Sequence, residues 1–184
     1  IEYIPKLKQL AAHLKFYPEI HRQILMNWLD SVATDWPISR RRYYGTEIPI
    51  WYCVNCNYPN LPPPGKYYRP WEEDPPFDKC TSCGAGKFVG EDRTFDTWMD
   101  SSLTPIYISK YGESEGIRHP YPSSIRPQAK DIVRTWLYYS MLRCIQLTGK
   151  LPWSKAWIMG FGVDERGEKM SKSKGNVVNP DEII

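Results

Sequence analysis

Apolar residues at Ile20, Ile24, Leu25, Trp28 and Leu29 recur at the three-to-four-residue spacing of an amphipathic helix, with Pro18 near its first turn. Asp35-Trp36-Pro37 ends that helical order, because the residue before a proline is pushed out of the helical region. The same spacing returns at Ile132, Trp136, Leu137, Met141, Leu142 and Ile145, and it stops at Gly149 with Pro152 just beyond. Between these helices Ile48-Pro49-Ile50-Trp51-Tyr52 predicts a short strand. The mostly apolar run from Ala156 to Val163 predicts a second, buried strand. Pro59 to Pro76 is proline-rich and without period, so it is expected to be a loop outside the core. No repeat or low-complexity tract interrupts the pattern. Strands alternating with helices favour an α/β sheet.

Composition changes that picture little. At 184 residues and 41% hydrophobic content the chain can bury a core as one domain, or as one domain with a small insertion. A net charge of +3 suits a nucleotide or RNA partner without demanding one. No apolar run has the length of a membrane span and no charged-then-apolar leader opens the chain, so the expectation is a soluble, cytoplasmic protein with no membrane partner. A first residue of Ile1, and a last stretch resembling the start of a helix, suggest an excised fragment.

Cysteine spacing carries the first chemical signal. Cys53-Val54-Asn55-Cys56 and Cys80-Thr81-Ser82-Cys83 form two C-x-x-C pairs separated by 23 residues, a little longer than a usual zinc ribbon, with the proline-rich loop accounting for the excess. Four thiolates fill a tetrahedral ion completely, which favours structural over catalytic Zn2+. Two disulfides or inert thiols are the alternatives; the first fits poorly with a reducing compartment, and the second leaves the paired spacing without a cause. Cys144 lies within the apolar helix and reads as a small core residue.

The second signal is Lys169-Met170-Ser171-Lys172-Ser173-Lys174-Gly175-Asn176, three lysines within six residues between Gly167 and Gly175. It predicts a mobile, positive loop whose ammonium groups can follow a polyphosphate. Short Lys/Ser runs are otherwise ordinary solvated turns. A third segment, Asp96-Thr97-Trp98-Met99-Asp100-Ser101-Ser102, falls where the cysteine-bearing stretch ends, and alone it is a half-buried aromatic flanked by carboxylates.

Taken in order, Ile38-Ser39-Arg40, Gly45-Thr46-Glu47-Ile48-Pro49-Ile50-Trp51-Tyr52-Cys53, the DTWMDSS segment, Lys130-Asp131-Ile132 and KMSKSKGN resemble the class I aminoacyl-tRNA synthetases of the valine, isoleucine and leucine group. WYC leading into the cysteines, and DTW in place of DVW, look most like the valine-specific members of archaeal kind. The resemblance spans nearly the whole chain. It implies the C-terminal half of a Rossmann-like class I catalytic domain with an inserted zinc knuckle. The expected divisions are 1–48 as a helical lead-in, 49–95 as the knuckle and 96–184 as the half-domain with the lysine loop.

The resemblance also implies roles. Lys169 and Lys172 match lysines that stabilise the pyrophosphate leaving group of ATP, a charge that develops mainly in the transition state. Phe161, Gly162 and Met170 match the wall near adenine, Ser171 and Ser173 match the small residues that let the loop swing, and Asp131 matches an acid near the ribose or the substrate amine. Trp98, Ile132 and Trp136 match the walls of an amino-acid pocket; a helix puts Ile132 and Trp136 on one face, and a slot of fixed width excludes larger side chains better than isosteres. The implied reaction activates valine with ATP and Mg2+ and passes it to tRNA(Val), isoleucine being the nearest rival substrate. No carboxylate pair stands out as magnesium ligands. His13, His21 and His119 fit no His-x-Gly-His turn, so the N-terminal half of the catalytic domain is expected elsewhere, along with the editing and anticodon-binding domains, and the fragment alone is expected to be inactive. Arg41, Tyr43 and Tyr44 depart from the family pattern after Ser39-Arg40, leaving Arg40, Arg41 and Arg42 open to structural pairing or to RNA contact. A zinc-stabilised RNA-binding module that has kept the fold without the chemistry is the reading from a different class.

Overall fold

A computed structural model describes residues 1–42, 44–112, 121–182 and 184. Tyr43 and His119 therefore lie outside the described residues. The chain forms two compact units, one from Ile1–Asp35 with Ser102–Ile184 and one from Trp36–Ser101.

The first unit opens with helix α1 (Ile4–Ala11), strand β1 (Lys15–Tyr17) and helix α2 (Arg22–Ser31), the last entered through a 3-10 turn at Glu19–His21. The expected helix after Pro18 is present, although Ile20, counted in its apolar face, is 77% exposed because it sits in that entry turn. Leu25 and Leu29 are buried and meet Leu7, Ala11 and Leu14 in the core.

The second unit holds β2 (Ser39–Arg40), β3 (Trp51–Cys53), β4 (Pro59–Asn60), β5 (Phe88–Gly90), β6 (Thr94–Phe95) and helix α3 (Thr97–Ser101). β3 is the centre of a three-stranded antiparallel sheet ordered β4-β3-β5, and β2 pairs with β6. The expected strand starts later than its apolar run, since β3 is the central strand and Pro49 has no N–H to give a neighbour. A small aromatic core replaces the aliphatic one used elsewhere. Buried Trp51 meets Tyr68 and Phe77 edge-on at 5.8 and 5.9 Å, and Phe77 meets Phe88 at 5.1 Å. Part of the proline-rich loop is thus packed into this core through Tyr68, with Phe77 directly after the loop, so it is not merely a spacer. Gly90 makes that close packing possible, because a Cβ there would lie 1.8 Å from the Pro70 carbonyl oxygen.

The chain returns to the first unit through helix α4 (Thr104–Ser109), strand β7 (Arg126–Ala129), helix α5 (Tyr138–Thr148) and strand β8 (Lys155–Met159). β8 is central in a parallel sheet ordered β1-β8-β7, with Phe16 opposite Ala156 and Gln128 opposite Ile158. The expected buried strand proves to be half-exposed and shorter. Ala156 and Ile158 face the core, Trp157 and Met159 are 51% and 42% exposed, and the strand ends before Gly160. α5 follows a 3-10 turn (Lys130–Ile132) and a π-helical turn (Val133–Leu137), and it ends at Gly149 as the sequence predicts. Leu137, Met141 and Ile145 fill the same core as α1 and α2, and Cys144 is fully buried.

Candidate ATP-site hairpin and cysteine cluster

Beyond β8, the chain turns back on itself so that Val163 pairs with Lys169 and the Met170 N–H donates to the Gly162 carbonyl at 3.1 Å. A Cβ on Gly162 would come within 2.5 Å of the Met170 methyl, so the two residues are packed as tightly as a glycine allows. Asp164 holds the turn: its Oδ1 accepts from the N–H groups of Arg166 and Glu168 at 3.0 and 2.8 Å. Its Oδ2 accepts from Asn176 Nδ2 at 2.7 Å. The Asn176 amide bond, followed by the Glu168 N–H, holds the Asp164 carboxyl below its ordinary range. Asn176 straps the loop from the other side, its Oδ1 accepting the Ser171 N–H at 2.9 Å. Ser171 and Ser173 share a hydroxyl hydrogen bond at 2.8 Å, and Lys174 pairs with Glu168 at 3.1 Å. Asp164 does not stand out in the sequence; Asn176 does, as the last residue of KMSKSKGN, but nothing there gives it this role.

The lysines differ in their surroundings. Lys169 reaches Asp131 at 2.9 Å and lies 4.0 Å from the centroid of the Phe161 ring, over which Lys130 also sits at 4.9 Å. The Lys169 ammonium is the main cause of a lowered Asp131 pKa. Lys172 begins a 3-10 turn (Lys172–Lys174), is exposed, and pairs with no carboxylate among the described residues. Phe161, Gly162, Met170, Ser171, Ser173, Lys169 and Asp131 are therefore joined in one place, with Lys172 at its open edge. This hairpin can present two ammonium groups and an aromatic face to a nucleoside polyphosphate.

Ile132 closes the 3-10 turn and Trp136 lies within the π turn that follows, so the single α-helical face expected for the pair is interrupted by a feature frequent at functional sites. Both are half-buried. Trp136 lines a hollow of about 270 Å³ with Arg126 and Trp153. The Arg126 guanidinium carbon is 2.9 Å from the Trp136 centroid, and burial lowers its pKa to about 10. That arginine also escaped the sequence reading, since nothing in Arg126-Pro127-Gln128 distinguishes a buried guanidinium from an exposed one.

In the second unit Trp98 is half-buried on α3. The aspartate before it is structural: buried Asp96 accepts from Trp36 Nε1 at 2.9 Å, from Arg40 Nη2 at 2.6 Å and from the Trp98 N–H at 3.2 Å. Arg40 therefore pairs structurally. Glu91 makes a comparable tie, accepting from Tyr52 at 3.1 Å and from Arg93 Nε at 2.7 Å, with Arg93 Nη2 on its other oxygen. The Arg93 bonds outweigh burial and lower the Glu91 pKa to about 2.

The four cysteines Cys53, Cys56, Cys80 and Cys83 converge, with all sulfurs within 4.8 Å of one another and closest pairs at 3.5 and 3.7 Å. A zinc–sulfur bond of about 2.3 Å in a tetrahedron places sulfurs about 3.8 Å apart, so this donor set fits Zn2+. All the cysteines are free thiols. Amides point at the sulfurs, Ser82 N–H and Asn60 Nδ2 toward Cys80 at 3.4 and 3.7 Å and Asn55 Nδ2 toward Cys83 at 3.7 Å. Burial disfavours charge on Cys80, yet the backbone and Asn60 donors prevail and lower this thiol to about 6. The Ala85 N–H lowers Cys83 as well, whereas Cys56, despite the Tyr58 backbone, is pushed up to about 12 by burial and the neighbouring thiols, so in the metal-free cluster thiolate character gathers on Cys80 and Cys83 while Cys56 keeps its proton.

Comparisons with known proteins identify relatives of the chain. The family described as tRNA synthetases class I (I, L, M and V) matches residues 4–184. The Valine--tRNA ligase of Aeropyrum pernix is 48% identical over 187 residues, covering 100% of this chain and 23% of its own length. That of Nanoarchaeum equitans is 46% identical over 97% of this chain and 24% of its own, and that of Methanocaldococcus jannaschii 42% identical over 98% and 20%. A crystal structure of a ternary LeuRS-tRNA-LeuAMS complex from Agrobacterium radiobacter superposes with a TM-score of 0.56 at 27% identity, covering 82% of this chain and 22% of that one. The chain spans 20–24% of the length of the curated relatives it matches.

Proposed function

Because the chain belongs to the class I tRNA synthetases of the I, L, M and V group, we propose that it serves the activation half of a valine–tRNA ligase, acting within a longer protein. The observation that carries this is the hairpin, which brings Lys169, Lys172, Phe161 and Met170 to one open edge in a chain 40–48% identical to valine ligases along its whole length. Phe161 and the Gly162 backbone receive the adenine. Lys172, exposed and paired with no carboxylate among the described residues, and Lys169 meet the phosphates and stabilise charge on the departing pyrophosphate. The valine carboxylate attacks the α-phosphate of magnesium-bound ATP, giving valyl-adenylate and pyrophosphate, and the valyl group then passes to the 3′ end of tRNA(Val). No protein nucleophile is needed, so positioning and charge carry the chemistry. Asp131 lies near the ribose or the substrate amine. Ile132 and Trp136 bound the valine side chain.

Cys53, Cys56, Cys80 and Cys83 hold a structural Zn2+, which when bound cross-links β3 to the turn before β5 and leaves no position for chemistry. The remaining catalytic half, the editing domain and the anticodon-binding domain are supplied by the rest of the protein.

Valine-dependent ATP–pyrophosphate exchange by the full-length protein tests the reading, with isoleucine alongside. Exchange with valine well above that with isoleucine, and its loss in Lys172→Ala, is the expected result. Undetectable exchange with both amino acids, or an unchanged rate in Lys172→Ala, ends the proposal.

A further inference from the structure

Arg126 begins β7, opposite Ala156 of β8, and its guanidinium stands out in the first unit. Nε and Nη2 are buried with no hydrogen-bond partner, and no carboxylate among the described residues pairs with the group. What it touches is aromatic. Its central carbon lies 2.9 Å from the Trp136 centroid and 5.0 Å from that of Trp153. Trp153 is 1% exposed, and the backbone on either side of it is tied to Ser123: the Ser123 N–H donates to the Pro152 carbonyl at 2.9 Å and the Ser154 N–H to the Ser123 carbonyl at 3.2 Å. The arginine therefore rests against one ring locked in the core and holds a second that is only half-buried.

Stability alone does not account for this arrangement. A charge taken out of water without a partner carboxylate is costly, and an apolar side chain would fill the same space without that cost. A planar cation does what an apolar side chain does not: it is drawn to the face of an indole, most strongly where water is excluded. Such a hold matters because Trp136 has room to leave. The hollow of about 270 Å³ beside it is also lined by Ile108 and Ile125, so a ring freed from the guanidinium has apolar space to swing into.

We propose that Arg126 is a positioning residue for the amino-acid slot, pinning the Trp136 ring so that the slot keeps its width and rejects a side chain one methylene larger than valine. This rests on the proposed function, which makes Ile132 and Trp136 walls of that slot. Arg126 itself touches no substrate. It acts through the ring: a wall that can retreat accepts isoleucine by yielding, whereas a pinned wall meets it with overlap. Rejection of one extra methylene by a fixed apolar slot is worth roughly 10- to 200-fold, a range that comes from synthetases of this kind.

The test is ATP–pyrophosphate exchange on the zinc-loaded full-length protein, with kcat and KM measured separately for valine, isoleucine and ATP. Arg126→Met removes the cation and keeps an unbranched stem. It is expected to cut the preference for valine over isoleucine by at least about fivefold, chiefly through a lower KM for isoleucine, with the KM for ATP within about twofold of the parent. Arg126→Lys returns a cation to the ring and is expected to keep a preference within about threefold of the parent. The preference is a ratio taken on one preparation, so partial misfolding cancels from it. Should Arg126→Met fail to fold, Arg126→Leu is read against the same limits. A preference that stays within threefold of the parent in the apolar variant, a KM for ATP disturbed as much as the preference, or Arg126→Lys falling as far as Arg126→Met would each overturn the inference. A parent without valine-dependent exchange removes the ligase reading and this inference together; a parent that prefers valine, beside an apolar variant of unchanged preference, removes this one alone.

Discussion

Replacing Asn176 by alanine is the sharpest probe of the lysine hairpin, because one side chain spans it. The change removes the acceptor of the Ser171 N–H at 2.9 Å and the donor to Asp164 at 2.7 Å. A neutral hydrogen bond contributes about 1 kcal/mol and one to a carboxylate about 1.5–3 kcal/mol. Water reaches both groups, so the combined loss is discounted to about 2 kcal/mol. Asp164 keeps its bonds from Arg166 and Glu168, so the turn survives while the strap beside the lysines is lost. If the strapped geometry is the one that grips the leaving pyrophosphate, about 2 kcal/mol becomes a roughly 30-fold drop in kcat for valine-dependent exchange. Global stability should be nearly untouched, since the hairpin lies outside the core cluster. Asn176→Asp should be worse than alanine, because it sets a second carboxylate against Asp164. The assay is ATP–pyrophosphate exchange on the full-length protein beside Lys172→Ala. An Asn176→Ala rate within threefold of the parent, while Lys172→Ala falls steeply, would refute the reasoning.

Three further outcomes concern the second unit. Glu91 titrates in the fold at about 2 against an ordinary 4.5, so its contribution is complete above pH ~4.5 and drains away as pH falls toward ~2. Chemical unfolding across that window should show a loss of up to about 3 kcal/mol that Glu91→Gln abolishes; a parallel decline in the variant would contradict it. Zinc removal by a chelator, or Cys56→Ser, should collapse the tryptophan fluorescence of the Trp51 core, and readdition of zinc should restore it only in the parent; an unchanged spectrum after verified metal loss would argue that the aromatic core is sufficient. Gly90→Ala, which drives a Cβ to 1.8 Å from the Pro70 oxygen, should lower the stability of this unit by about 3 kcal/mol or more, read as a lowered denaturation midpoint with zinc present.

Periodicity located α2 and α5 because both bury a continuous apolar stripe, and it missed α1, whose face of Ile4, Leu7 and Ala11 alternates with lysines over only 8 residues. The strands were harder to delimit. β8 carries apolar residues on its exposed face, and a run such as Trp157-Ile158-Met159 cannot reveal which side chains are covered. At the candidate sites the residues with charge or sulfur were legible, since their chemistry is local and their spacing fixed. The residues that position them were not. Asp164, Asn176 and Arg126 act through partners that only the fold brings near, and Asp96 looked like part of a functional segment although it is the anchor of Trp36 and Arg40.

The ion pair between Lys169 and Asp131 has a consequence for the order of events at the hairpin. Each partner is, under the proposed function, the grip for a different substrate, and in the free protein each neutralises the other. A substrate ammonium that takes Asp131 releases Lys169 toward phosphate; a polyphosphate that draws Lys169 away bares Asp131 for the ammonium. The two ligands would then promote one another through a shared lock, and linkage requires the factor by which ATP tightens valine to equal the factor by which valine tightens ATP. A hairpin wired in this way holds either substrate alone only weakly and commits when both are present.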